Sequence, residues 1–306
     1  MLPMRIGVSL RSSYGTVEPR VAARRMVERT RAARAAGLDS LFVGDHHVTG
    51  STYLQNGPVL GRLLAEWGDR TAGALFLLPL WHPVLVAEQV GTLAALARGR
   101  FVLQVGLGDG EGQFAGMGAS LSRRAGDLEA ALDVIRRLLA GETVTADRPV
   151  RIRDARGGPL PPEPVDVWIG AGAARGIERA ARLGDGWIAG PWVATDDARD
   201  QAARYLDARA ALGRPPGVVA VRRDVHVGAD GADAHRVADP VLAAGYRGLP
   251  PDAAVVGGPE EVAEAFLALG ELGYTDVLVR HLADDHDEVL ASFERLAAVR
   301  DLVREA

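Results

Sequence analysis

Three stretches of this 306-residue chain carry side chains able to do chemistry. The first is GDHHV at residues 44–48. Asp45 beside His46 sets a carboxylate next to an imidazole, which tunes its pKa and selects its tautomer, as a proton donor requires. Successive residues of an extended chain point to different sides, so the role falls to His46 rather than His47. The plain alternative is a strand-end histidine bonded to a local carbonyl. The second stretch is VGLGDGEGQF, residues 105–114. Gly106 and Gly108 let a flat ligand approach the backbone, and Asp109 or Glu111 is placed to act as base or orienting carboxylate. Its alternative is a solvated loop with a helix-capping aspartate. The third is WIGAGAARG, residues 168–176. Gly170, Ala171, Gly172 and Ala173 precede a helix, where small residues let a phosphate reach the unpaired N–H groups and the positive dipole end. A tight turn needing positive φ would explain the same glycines. His46, His47 and His82 show no metal-ligand spacing, so no metal site is expected.

Composition narrows the chemistry further. The chain has no cysteine, which removes disulfides, thiol nucleophiles and iron–sulfur clusters. All 35 basic residues are arginine, so a lysine Schiff base and a P-loop are excluded. The net charge of −5 suggests neither nucleic acid nor an anionic membrane as partner. No apolar stretch reaches a membrane span, and MLPMRIGVSL reads as a first strand rather than a signal peptide, so a cytoplasmic location is expected.

Apolar runs of strand length alternate with helical patterns. Strands are expected at 4–10, 41–43, 71–78, 101–105, 167–169, 186–188, 218–227 and 276–279. Helices are expected at 18–36, 59–67, 83–97, 122–140, 174–183, 196–212, 260–272 and 288–304. The strands are rich in Val, Leu and Ile, as in a parallel sheet covered on both faces. Eight such units predict one TIM (β/α)8 barrel over residues 1–306, with irregular insertions at about 141–165 and 228–256. An open doubly wound sheet is the runner-up. It is disfavoured because the first strand–helix turn, 11–17, lacks the G-x-G-x-x-G fingerprint. In a TIM barrel the strands' carboxyl ends carry the site. Those ends supply Ser9 and Arg11, then Asp45 to His47, then Trp81 and His82. Later ends supply Asp109 and Glu111, the Gly170–Ala173 turn, Trp192, and Arg280 with His281.

Four stretches together resemble the bacterial luciferase-like superfamily of flavin- and deazaflavin-dependent oxidoreductases. They are AAGLDSLFVGDHH, LLPLWHPVLVAEQVGTLAALARGRFVLQVGLGDG, VDVWIGAGAARGIERAARLGDGW and VLVRHL. The resemblance implies a TIM barrel whose cavity binds reduced FMN or reduced F420, with a small-molecule substrate. It implies His46 as proton donor, Asp45 near the flavin ring, Asp109 at an acidic position of F420-dependent members, and Gly172 and Ala173 at the phosphate turn. It also implies a bulge with a non-proline cis peptide within 73–77. Leu107 stands where luciferases carry a phosphate-binding arginine, and the Gly-x-Gly-Asp run is similar to that of F420-dependent reductases. Hydride transfer from reduced F420 is therefore the first expectation, with Arg11, Arg123 or Arg175 serving the FMN phosphate in the other case. An FMNH2-dependent two-component monooxygenase, fed by a separate reductase, is the alternative. A non-catalytic flavin-binding protein and a cofactor-independent isomerase stand further off. Family members are often homodimers, and the same is expected here.

Overall fold

The structure is a computed structural model that describes residues 4–306. The first three residues of the expected opening strand lie outside the described residues. The chain forms strands β1 (Arg5–Leu10), β2 (Ser40–Val43), β3 (Thr71–Leu77) and β4 (Phe101–Gly106). A short pair follows, β5 (Val144–Ala146) and β6 (Ile152–Ala155). Then come β7 (Asp166–Gly170), β8 (Gly186–Ala189), β9 (Val218–Val227), β10 (Ala254–Gly257) and β11 (Asp276–His281). The helices are α1 (Pro19–Ala35), α2 (Asn56–Trp67), α3 (Pro83–Leu96), α4 (Glu111–Gly116) and α5 (Arg124–Leu139). They continue with α6 (Ala174–Leu183), α7 (Thr195–Ala211), α8 (Gly231–Ala243), α9 (Pro259–Glu271) and α10 (His286–Glu305). The strand order is β10-β9-β11-β1-β2-β3-β4-β7-β8, with β8 also paired to β9. This is the TIM barrel topology expected from the alternation.

The chain divides into two compact units. The first holds residues 4–11, Arg24–Phe42 and Trp168–Ala306. In it β9 is long enough to carry two strands in succession. β8 pairs with residues 218–221 and β10 with residues 224–227, both parallel, while β11 pairs along 220–225. The second unit holds Ser12–Ala23 and Val43–Val167. There β3 and β4 run parallel in unbroken register from Ala72 opposite Phe101 to Leu77 opposite Gly106. All six residues of β4 are buried, as a strand covered on both faces demands.

Helix ends follow local chemistry. Glu18 accepts from the N–H groups of Arg20 and Val21 ahead of α1, and Gly37 at φ +78° ends it. Asp285 caps α10 through the N–H groups of Asp287 and Glu288.

Three features depart from the sequence reading. The segment 228–256 is not irregular, since it contains α8 and β10. Helix α8 buries only Ala234 and Ala238 and includes Gly231 and Pro240, so its apolar face is too weak to register as a period. The segment 141–165 contains the β5–β6 hairpin, whose buried residues are Val144 and Ile152. The expected cis peptide within 73–77 is absent; the cis bonds among the described residues are Arg148–Pro149 and Gly158–Pro159. Ladder pairing through all of β3 leaves no bulge there to hold one. Among the described residues no helix is long and apolar enough to cross a membrane.

Gly91, within α3, gives a sharp packing test. A Cβ there would lie 1.9 Å from the carbonyl oxygen of Pro159, a backbone atom that cannot swing aside. Alanine in a helix normally gains about 1 kcal/mol over glycine, but this overlap reverses the sign. Gly91→Ala is expected to cost about 1–3 kcal/mol net in urea unfolding. Gly61→Ala in α2, whose Cβ would meet nothing closer than 4.0 Å, is expected to be neutral or mildly stabilising.

Candidate active site

The second unit builds its polar site around Asp45, two residues past the end of β2. The carboxylate is buried. Its Oδ2 accepts from the backbone N–H of Leu77, the last residue of β3, and from Trp81 Nε1, each at 2.8 Å. A buried carboxylate needs such donors, and an indole N–H can only donate. Oδ1 lies 3.1 Å from His47 Nε2, an ion-pair distance whose direction is poor for a hydrogen bond, so neither atom has a hydrogen-bond partner among the described residues. The His47 ring meets Trp81 at 5.2 Å and 65°, and Trp81 meets Phe76 at 5.2 Å and 72°. Asp45 therefore engages the second histidine of the pair, not the first.

His46 turns the other way. It is exposed, with its ring 5.8 Å from that of Tyr53. Its carbonyl accepts from Gln55 Nε2 at 3.2 Å. Val48, two residues on, sits at φ +53°, an uncommon conformation for a β-branched residue, and is 59% exposed. Strain beside two histidines is the kind of feature that collects at working sites.

The loop after β4 reaches this framework through a residue the sequence reading passed over. Gln113 is buried; its Oε1 accepts from the His47 N–H at 2.9 Å, and its Nε2 donates to the Asp109 carbonyl at 2.9 Å. The Asp109 carboxylate itself is 88% exposed, 3.7 Å from Arg124 Nη1. Glu111, exposed at the start of α4, lines a 570 Å³ cleft with Phe114 and Arg124. The structure thus joins Asp45, His47 and the backbone of Asp109, and leaves the side chains of His46, Asp109 and Glu111 open. Gly108 sits at φ +68°, a backbone shape that favours glycine, and Gly106 is buried against Leu77.

In the first unit, the turn Gly170–Ala173 leads into α6. Gly170 and Ala171 are half-buried, and Gly172 and Ala173 are exposed. Ala171 is pinned at both backbone groups, donating to the Ile188 carbonyl and accepting from Trp187 Nε1. No side chain caps α6, since its N-cap is Ala173. Gly172 does not have positive φ, and a Cβ there would meet nothing within 4 Å. Neither backbone shape nor packing requires glycine there, so the space before the helix stands open. Of the arginines considered for a phosphate, Arg11 is ion-paired with Asp284 and Arg123 lies 3.7 Å from Asp127. Arg175 is exposed on the first turn of α6.

His281, at the end of β11, is not available to a ligand. It is buried, its ring lies 4.2 Å from that of Phe293, and its Nε2 has no hydrogen-bond partner among the described residues. Burial first, and then the charges of Arg29 and His226, push its pKa down to about 3. His226, with both ring nitrogens buried and without a partner among the described residues, is lowered mainly by burial as well.

With this geometry in place, likeness to known proteins becomes informative. The chain matches the luciferase-like monooxygenase family over residues 4–252 and belongs to it. An F420-dependent glucose-6-phosphate dehydrogenase of Intrasporangium calvum is 33% identical over 178 residues, which cover 54% of this chain and 53% of that protein. The chain spans about half the length of the curated relatives it matches. Among solved structures, the monooxygenase RslO1 from Streptomyces bottropensis superposes with a TM-score of 0.82 at 17% identity, covering 96% of this chain and 98% of that one. An F420-dependent secondary alcohol dehydrogenase superposes at 0.79 and 18% identity, covering 97% and 99%. At such identities the structures establish the fold, and the fold is the TIM barrel.

The buried histidines make a prediction about pH. Folded His281 stays neutral down to about pH 3, whereas unfolded it takes up a proton near 6.5. Between these values the unfolded state holds more protons, so stability is full above about 6.5 and is lost as pH falls toward about 3. Urea unfolding between about pH 6.5 and about pH 4.5 is expected to show a loss of about 1.4 kcal/mol per pH unit from His281. His281→Leu should flatten the slope by about one proton; an unchanged slope would show that His281 does not carry it.

Proposed function

We propose that this chain is an oxidoreductase that uses reduced F420 in hydride transfer with a small molecule, and that His46 exchanges the accompanying proton at an imidazole nitrogen. The observation that carries the reading is the match to F420-dependent dehydrogenases over more than half of the chain, within a family it belongs to. The residues present fit such a group. The uncapped start of α6 and the open space at Gly172 suit an anionic phosphate. Gly106 and Gly108 let the β4 loop pack closely on Leu77 and Phe114, an apolar backing on which a flat ring system can rest.

In this reading bound F420 supplies the hydride, and the chain supplies position and a proton. Asp45 orders the loop: it holds Trp81 and the end of β3 while His47 packs on Trp81, so His46 is presented outward from a fixed base. Asp109 and Glu111 orient the polar edge of a ligand. Gly170, Ala171, Gly172 and Ala173 hold the phosphate. The whole chain acts as one luciferase-like domain, works in the cytoplasm and pairs as a homodimer.

A second reading is an FMNH2-dependent monooxygenase supplied by a separate reductase. It is favoured by the family description and by the likeness to a monooxygenase structure. Titration of the protein with F420 and with FMN, oxidised and reduced, followed by fluorescence, separates the two. The first reading expects tighter binding of F420; tighter binding of reduced FMN with oxygen consumption would replace it.

Gly172→Val should weaken the bound cofactor at least about tenfold by filling the space a phosphate needs, with unchanged thermal stability. His46→Ala is expected to leave cofactor affinity intact and lower turnover about 10²–10⁴-fold; survival of activity within about threefold would remove the proton-exchange role. Glucose 6-phosphate, the substrate in the relatives' name, would run the transfer in the opposite sense, giving its hydride to oxidised F420, and is the first compound to assay with the oxidised cofactor.

A further inference from the structure

A second polar cluster lies wholly in the first unit, and the proposed function makes no use of it. It stands on β9 and β11, where Arg280 is opposite Asp224 in the strand register. Asp224 is fully buried and both its oxygens are engaged. Arg222 donates to Oδ1 from Nε at 2.9 Å and to Oδ2 from Nη2 at 3.4 Å, and the Tyr246 hydroxyl donates to Oδ2 at 3.0 Å. Among the described residues Arg280 makes no comparable side-chain hydrogen bond. Its side chain is half-buried, yet its Nε is enclosed and makes no hydrogen bond among the described residues.

The charges do not balance. Arg222 and Arg280 share a single carboxylate, Asp224, with the exposed Arg247 adding like charge at the edge, so the part-buried positive charges outnumber the negative one. Burial, and then the like charges of Arg222 and Arg247, lower the Arg280 pKa to about 10, so the group is still a cation at neutral pH. A part-buried cation that must share one carboxylate with a second guanidinium, and makes no hydrogen bond to it, opposes folding.

A purely structural arginine in the same unit looks different. Arg209 is buried and directs its guanidinium to the carbonyls of Pro215 at 2.7 Å and Gly184 at 2.8 Å. Arg280 has been given no such carbonyls. The rim carries an aromatic: Trp192 is 51% exposed, and Arg222 Cζ lies 5.9 Å from its ring centroid. Trp192 Nε1 donates to the Arg247 carbonyl at 3.4 Å, and Arg247 sits at φ +50°, a conformation rare outside glycine.

We propose that Arg222 and Arg280 bind the acidic group of a small organic substrate, a carboxylate, sulfonate or phosphate ester, with Trp192 flanking the remainder of the molecule. A guanidinium is a planar fork of donors matched to such oxyanions and keeps its charge when enclosed. Asp224 and Tyr246 hold Arg222 in place, and the anion supplies the negative charge that Arg280 lacks. Only the assignment of the anion to a substrate rests on the hydride-transfer reading; the anion site does not.

Binding of methanesulfonate and of sulfate, against chloride at equal ionic strength, tests this on the intact protein through thermal shift and tryptophan fluorescence. The wild type is expected to bind both saturably and to melt higher in their presence. Arg280→Met should weaken that binding by at least about tenfold, the loss expected for hydrogen bonds to a charged group. Its F420 and FMN affinities should stay within about threefold. Absence of saturable binding, or an Arg280→Met protein that binds like the wild type, would overturn the proposal.

A parallel loss of cofactor affinity would overturn it too, because the pair would then serve the cofactor's phosphate. The wild type alone gives a check that needs no variant: methanesulfonate that adds to bound cofactor supports a substrate site, and methanesulfonate that displaces it does not. Saturable anion binding in a chain that takes neither cofactor would keep the anion site while removing the hydride-transfer reading.

Discussion

A carboxylate cut off from water has to be given donors by the protein, and Asp45 receives them from places far apart in sequence. The Leu77 N–H closes the end of β3 and the Trp81 indole closes the turn that follows. Losing either would leave a buried acceptor short of a partner, which costs more than the bond itself contributes. The rest of the second unit's site follows from that constraint. Trp81, fixed at its nitrogen, packs in T-shaped fashion with Phe76 and with His47. With His47 drawn inward, the next side chain back, His46, is left facing out. Gln113 then ties the same loop to the one after β4 through the His47 N–H and the Asp109 carbonyl. A short polar chain of two buried groups thus ties together two loops, the second of which is also anchored by the buried ring of Phe114.

The first unit uses charge differently. Arginine is its only long cation, and arginine does not shed its proton on burial as lysine can. A buried arginine must therefore be neutralised, bonded to carbonyls, or left for a ligand. Arg209 takes the carbonyl solution and Arg222 the carboxylate one. Arg280 takes neither, and the Tyr246 hydroxyl occupies the remaining oxygen of the shared aspartate. The turn before α6 has a matching character on the backbone side: Trp187 and Ile188 fix Ala171, while Gly172 is left with open space where any other residue would have fitted.

Much of this was legible beforehand. The alternation of short Val/Leu/Ile strands with amphipathic helices placed all eight barrel strands within a residue or two of their final bounds, because each is long enough to show its own period. The misses share a cause. Helix α8 presents alanines to its neighbours, the β5–β6 hairpin buries one side chain per strand, and α4 is six residues with two glycines. None has enough apolar area to leave a pattern. The candidate residues His46, Asp109, Glu111 and the Gly170–Ala173 turn were named from their types and positions. Gln113, Tyr246 and Arg222 were passed over, since an isolated polar residue in a loop or strand carries no mark of what it will meet.

The sequence by itself determined the fold class, the strand ends at which chemistry collects and the family, because these depend on periodicity and on local order of residue types. It also excluded thiol and lysine chemistry outright, since neither side chain is present. Tertiary structure alone decided which of two adjacent histidines Asp45 engages, which arginine beside Asp224 is left without a hydrogen bond to it, and which histidines are sealed away from water. Those outcomes turn on direction and burial. Adjacent side chains diverge, and a charge is costly or cheap according to what the folded chain, many residues away, brings to within 3 Å of it.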